Sequence, residues 1–475
     1  MHNFVKPRLA VAAVLALCSQ FFANPVLAST DSSKVPQLLL TSANQQYLLA
    51  ENPAGLLLPA AQSGAATIVL NTRSQYQPID GFGFSLTGGS AQHLMQLQPA
   101  RRAALLQELF SAKGINISYL RISLGASDLD EKPFSYNDLP AGQQDPALKH
   151  FSLKPDEKTL IPALKEILAL KPNLKILASP WSPPVWMKSN QSTVGGELLE
   201  QHFASYAQYF VRYIQGMAAH GIRIDAVTIQ NEPLHDGNNP SLLMHAWDQA
   251  AFIKHHLGPA FKAAGITSKI IIYDHNADHV EYPITVLNDP AAKAYIDGSA
   301  FHLYNGDISE LAKLKAAHPD KQIYFTEQWV GADSDFAGSL QWHTEHLIIG
   351  ATRQWARNVL EWNLAADSQY RPFTDGGCSK CLGALTIDGQ QLRRNVAYYI
   401  IGQASKWLLD GSVRIDSGAN NGPLKQVALL RPDGRILLLV LNNSAENLPF
   451  NLRRDGKSLP FSVTAPAHSV LTLLL

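Results

Sequence analysis

Ala226-Val-Thr-Ile-Gln-Asn-Glu-Pro-Leu234 reads as a buried strand that ends in polar chemistry. Four apolar or β-branched residues come first. Asn231 and Glu232 follow, and Pro233, which has no N–H to give, stops the ladder. Ile323-Tyr-Phe-Thr-Glu-Gln-Trp329 repeats the plan with Glu327. Working outward, the same kind of segment recurs as Tyr76–Ser85, Ser118–Leu124, Leu174–Pro180, Lys269–His275, Gly298–Tyr304 and Asn358–Ala365. Between most of them lie patterns of helical period, at 99–113, 156–170, 199–219, about 241–264, 308–317 and 340–356. Eight strands alternating with helices predict a (β/α)8 barrel, whose functional groups gather at the C-terminal strand ends. Arg121, Asp128, Trp181, Glu232, Asp274, His302, Tyr304, Glu327, Trp362 and Asn363 all fall at such ends.

The barrel is expected over 76–411. After 412 the pattern changes to short strands and turns, such as Gln426–Leu430, Ile436–Leu441 and His468–Leu474, which predict a β-sandwich. Strands within 46–75 are expected to join it, and 29–45 reads as a linker. Residues 1–28 have the form of a signal peptide: Lys6 and Arg8, an apolar run from Leu9 to Leu17, and a cleavage site after Ala28. The alternatives are a disordered start, a membrane anchor, or lipid attachment at Cys18, which the bulky Leu17 disfavours. No later stretch is long and apolar enough to span a bilayer, so an exported protein without stable membrane insertion is expected, as a monomer.

The 475 residues are 46% hydrophobic, enough for a large core, and Lys+Arg 39 balances Asp+Glu 39. That balance excludes a nucleic-acid groove and suits a neutral substrate such as a sugar. Three cysteines occur. Cys378 and Cys381 stand in a glycine-flanked C-x-x-C. Export permits a disulfide there; free thiols and metal or redox use are the alternatives.

Two carboxylates on separate strand ends point to glycoside hydrolysis, with Glu232 as acid/base and Glu327 as nucleophile. Those roles call for a higher pKa on Glu232 than on Glu327. Asn231 is placed to hold a sugar 2-hydroxyl. Arg121, a charge inside a strand, needs a carboxylate partner and would keep Glu327 ionised. Asp128 could accept sugar hydroxyls, while Trp181, Trp329 and Trp362 could wall the sugar faces or simply pack. Tyr304 could bond Glu327, and His302 reads either as a site residue or as a satisfied rim histidine. Asp274-His275 lacks the elbow nucleophile of a serine triad. No H-E-x-x-H or similar spacing occurs, and neither a metal nor an organic cofactor is expected. A barrel that binds carbohydrate without cleaving it, an exported scaffold, and an inverting hydrolase are the competing classes.

These segments together resemble the glucosylceramidase family, glycoside hydrolase family 30. The resemblance runs through Ile79-Asp-Gly-Phe-Gly83, Leu120-Arg-Ile-Ser123, Leu177 to Lys188, Gln230-Asn-Glu-Pro233, Phe301-His-Leu-Tyr304, Thr326-Glu327, Glu361 to Ala365, and Tyr399 to Trp407. It implies a retaining mechanism with Glu232 and Glu327 in the roles above, and a sandwich built from both chain ends. Members of the family cleave glucosylceramide, simple β-glucosides, β-1,6-glucan or xylan. Gly83-Phe-Ser-Leu-Thr-Gly-Gly-Ser90 and Gly376-Gly-Cys-Ser-Lys-Cys-Leu-Gly383 look closer to bacterial members related to β-1,6-glucanases. The implied partner is thus β-1,6-glucan first, then a short β-glucoside or glucosylceramide.

Overall fold

The computed structural model describes residues 36–420 and 422–475. The signal peptide and Cys18 lie outside them. Eight parallel strands close a barrel: β1 (Gly81–Ser85), β2 (Tyr119–Ser123), β3 (Lys175–Ser179), β4 (Ala226–Thr228), β5 (Lys269–Asn276), β6 (Ile296–His302), β7 (Gln322–Glu327) and β8 (Ala356–Asn363). Each pairs with its neighbours in chain order, and β8 returns to β1 with Leu360 opposite Gly83. The interior is filled, not hollow. Tyr119, Leu177, Ala226, Ile271, Ala300, Tyr324 and Leu360, one from each of seven strands, form a packed layer. Gly83 explains why glycine recurs in β1, since a Cβ there would stand 1.8 Å from the Tyr119 carbonyl oxygen.

The helices cover the outside, though two differ from the sequence expectation. The pattern at 241–264 begins as a helix only at Ala246, and that at 340–356 runs from Phe336 to Ala351. Both contain a π-helical turn, Ile253–Leu257 and Thr344–Ala351. A wider turn shifts the apolar face out of the 3.6 period by which a helix is recognised.

Both chain ends build the sandwich. Gln37–Ser42 pairs antiparallel with Ser469–Leu474, placing Leu38 opposite Leu473. Within the linker expected at 29–45, residues 37–42 are therefore a sandwich strand, and 29–35 lie outside the described residues. Leu38 and Leu40 alternate into the sandwich core with Leu438, Val440, Leu471 and Leu473. The strand Ala66–Pro78 also runs three residues past 75, pairing Pro78 with Val413. Ile436–Asn442 is buried along its whole length. Leu438 and Val440 face the sandwich core, while Leu437, Leu439 and Leu441 join the barrel's core cluster. Two covered faces account for its unbroken apolar run. On that shared side the Thr472 hydroxyl donates to the Gln403 carbonyl oxygen at 2.8 Å, and Gln403 lies on the barrel helix Val396–Ser405.

Candidate active site

At the C-terminal mouth of the barrel, β2 carries Arg121, wholly buried. Its guanidinium makes four hydrogen bonds. Nη1 donates to Glu327 Oε2 at 2.5 Å, Nη2 to Asn231 Oδ1 at 2.6 Å and to Asp274 Oδ2 at 2.8 Å, and Nε to Ser179 Oγ at 3.2 Å. Trp181 and Trp362 lie against it, with ring centroids 4.8 and 5.7 Å from Cζ. A charge this deep needs such partners, and two carboxylates provide them.

Asp274, which the sequence offers as a strand-end residue and as one half of a failed triad, anchors the mouth. Beyond Arg121 it accepts from the hydroxyls of Ser179 at 2.9 Å, Thr228 at 2.8 Å and Thr326 at 2.6 Å, and meets His302 Nε2 at 3.1 Å. Burial works to raise its carboxyl, but the Arg121 charge and the His302 bond overcome that and hold it well below the usual carboxylate range. It reaches this position through a bulge in β5. Ala300 on β6 opposes Tyr273 and Phe301 opposes His275, leaving Asp274 as the extra residue. Tyr273 and Asp274 both lie at positive φ, 71° and 66°, as does Glu232 at 45°. The Glu232 amide donates to the Asp274 carbonyl oxygen at 2.9 Å, and the Tyr273 amide to Gln249 Oε1 at 3.0 Å. Left-handed backbone at three neighbouring non-glycine residues costs about 1–3 kcal/mol each, and these hydrogen bonds hold it in place.

His302 bridges the two sides of the mouth, with Nδ1 2.9 Å from Glu232 Oε1 and Nε2 on Asp274. Burial would lower its pKa, but Glu327, Asp274 and Glu232 raise it to about 9. The Glu232 carboxyl is pushed up by burial, and the bond and charge of His302 more than reverse this, leaving it below its ordinary value. Burial raises Glu327 despite the charges of His302 and Arg121. The order expected from the sequence is therefore inverted, because the bond and charge of His302 favour the ionised form of Glu232 while burial favours the protonated form of Glu327. Tyr304 donates its hydroxyl to Glu327 Oε1 at 2.8 Å, so both Glu327 oxygens are held.

One carboxylate oxygen each from Glu232 and Glu327, with a ring nitrogen of His302, lie within 4.8 Å of one another. These three side chains could reach a single ion, but both His302 nitrogens are already spent on carboxylates. The remaining sequence-predicted residues fall around them. Trp181 and Trp362 pack with ring centroids 5.4 Å apart in a cluster with Leu129 and Cys381, against which Trp329 and Cys378 pack. Cys378 and Cys381 are joined in a disulfide. The Cys378 amide donates to Asp128 Oδ2 at 3.2 Å, and burial beside Glu327 lifts the Asp128 carboxyl to about 7. Asn363 turns aside: its Oδ1 accepts from Ser90 Oγ at 2.8 Å. The hydroxyls of Ser179, Thr228 and Thr326 were missed. Their signal was a hydroxyl residue at the end of an otherwise apolar strand.

Known proteins are similar to this chain over most of its length. An endo-1,6-beta-D-glucanase of Aspergillus fumigatus is 33% identical over 445 residues, covering 88% of this chain and 89% of its own. The lysosomal acid glucosylceramidase of Mus musculus is 28% identical over 442 residues, covering 86% and 83%. The solved structure of the endo-beta1,6-glucanase BT3312 superposes with a TM-score of 0.85 at 33% identity, covering 92% of this chain and 99% of that one. The family model for the TIM-barrel domain of glycosyl hydrolase family 30 matches residues 79–408, that for its beta sandwich domain matches 411–473, and the chain belongs to this family.

Proposed function

We propose that this protein is a retaining hydrolase of β-1,6-glucan. The observation that carries the mechanism is the spacing of Glu232 and Glu327, whose nearest carboxylate oxygens lie within 4.8 Å. Retention needs carboxyl groups roughly 5–5.5 Å apart, whereas inversion needs about 6.5–9.5 Å to admit a water. The linkage is supported by the endo-1,6-beta-glucanases among the relatives.

Glu327, held by Arg121 and Tyr304, attacks the anomeric carbon and forms a glycosyl ester. Glu232 gives a proton to the departing oxygen. At rest that proton is on His302 Nδ1, 2.9 Å from Glu232, and it crosses as negative charge builds on the leaving group. Once Glu327 is esterified, one of the charges that raised His302 is gone. Glu232 then accepts a proton from water, and the ester is hydrolysed with net retention. The amide of Asn231, whose oxygen is fixed by Arg121, is free to hold the 2-hydroxyl.

Among the described residues no helix is long and apolar enough to cross a membrane. Export after loss of residues 1–28 is part of the proposal, and the Cys378–Cys381 disulfide suits an oxidising compartment. A second reading, glucosylceramide hydrolysis, is favoured by the mouse relative. The test is purified mature protein assayed on β-1,6-glucan, gentiobiose, glucosylceramide and xylan, with the first-formed anomer followed by NMR. Release of the β-anomer from β-1,6-glucan is expected. The α-anomer first would end the retaining mechanism, and preferential cleavage of glucosylceramide or xylan would end the substrate assignment.

A further inference from the structure

Away from the catalytic carboxylates, one large apolar side chain stands far into water. Trp247 is 64% exposed, the most of any large hydrophobic among the described residues. It is fixed all the same. Its ring stacks on His245 with centroids 4.5 Å apart and planes at 17°, and His245 Nε2 lies 3.9 Å from Glu197 Oε1. Beside it opens a cavity of about 210 Å³, lined by Phe203 and Met244 and by three carboxylates, Glu197, Glu200 and Asp248, with no basic side chain.

This platform belongs to the catalytic face. It lies on the connection from β4 into the helix Ala246–Phe252. The Met244 amide donates to the carbonyl oxygen of Pro233, the residue after Glu232, at 2.9 Å, and the Leu243 amide donates to Gly196 at 2.9 Å. A flat, pre-oriented indole beside carboxylates suits a pyranose, whose C–H face stacks on the ring and whose paired hydroxyls donate to the acids. The acidic lining turns away an anionic partner and leaves a neutral polyol acceptable.

We propose that Trp247, with Glu197 and Asp248, forms an accessory glucan-binding site that holds a glucosyl unit remote from the bond being cleaved. The proposal rests on the β-glucan reading. It makes the enzyme prefer long chains over short ones by a device outside the reaction centre.

The test measures chain-length preference. In the Glu327→Gln background, binding of β-1,6-gluco-oligosaccharides of two and eight units is followed by calorimetry. In the active background, kcat/KM is measured on polymer and on gentiobiose. Trp247→Ala is expected to weaken octamer binding and polymer kcat/KM about five- to tenfold, with the two-unit values unchanged and Trp247→Phe close to the parent. Equal losses on long and short substrates, or no loss on either, would overturn the site. So would saturable binding of tetramethylammonium at the indole with the octamer undisturbed. Failure of the substrate reading has a different signature: the protein with Trp247 intact would then bind no β-1,6-glucan of either length.

Discussion

Two groups of buried carboxylates lie within one barrel and differ in charge. Asp274 is held ionised at the mouth by Arg121, His302 and three hydroxyls. Asp130 and Asp156 lie on the long connection after β2, equally out of water. Asp130 accepts from the Ser127 amide at 2.8 Å, and Asp156 from the Tyr136 hydroxyl at 2.5 Å, within a stack of Tyr136 and Tyr213 rings 5.5 Å apart. Among the described residues no cation pairs with them, and burial raises both to about 7. Burial alone therefore does not set the charge of a carboxylate; at Asp274 the Arg121 charge and the His302 bond together outweigh it. Asp128 sides with Asp130 and Asp156, lifted to about 7 by burial and Glu327 although the Cys378 amide draws it back.

Replacing each acid by its amide puts this contrast to the test, because a neutral carboxyl should tolerate the change and an ionised one should not. Glu327→Gln is expected to lower kcat by at least about 10⁴-fold and to abolish the glycosyl-enzyme seen by intact mass spectrometry. Glu232→Gln should lose about 10²–10⁴-fold, yet still be glycosylated by an activated aryl glucoside and be rescued by azide. Absence of rescue would break the assignment of roles. Asp274→Asn leaves Arg121 with one anion fewer, and urea unfolding should show a loss of about 3–5 kcal/mol.

Joint replacement of Cys378 and Cys381 by serine should cost about 2 kcal/mol for so short a loop, read by the same unfolding curves. It should also loosen the Asp128 amide contact. The smallest effect is expected for Asp156→Asn, below about 1 kcal/mol at pH 5, because the Tyr136 bond survives. Here the sign is worked from the raised pKa. An Asp shifted from about 3.9 unfolded to about 7 folded contributes stability that is complete below the lower value and lost as pH rises through the higher. The Tm difference between pH 5 and pH 8 should therefore shrink in Asp156→Asn. A loss as large as that of Asp274→Asn would show the two groups to be alike.

The sequence made legible what is locally anomalous. Arg121 inside an apolar strand, and Glu232 and Glu327 at the ends of others, stand out without any knowledge of the fold, and β/α alternation does the rest. Asp274 is legible as a polar residue near a strand end, but its place at the centre of the mouth is not. It points into the mouth because β5 carries an extra residue, and the bulge is held by a hydrogen bond from the Tyr273 amide to Gln249 Oε1 on a separate helix. Leu38–Leu40 looked like linker because its partner strand, Ser469–Leu474, lies at the opposite end of the chain. The inverted proton order at Glu232 needed the position of His302, which pairing across three strand ends alone provides.

The helix Ala246–Phe252 shows Trp247 to solvent and, two residues on, sends Gln249 inward to the Tyr273 amide. It follows that the rim and the reaction centre can be altered separately. Loops around the mouth can be exchanged to recruit new glycans while Gln249 keeps the bulge in register. A change at Gln249 itself, a buried side chain on the inner face of that helix, would leave a protein that folds and binds but aims its central carboxylate at nothing.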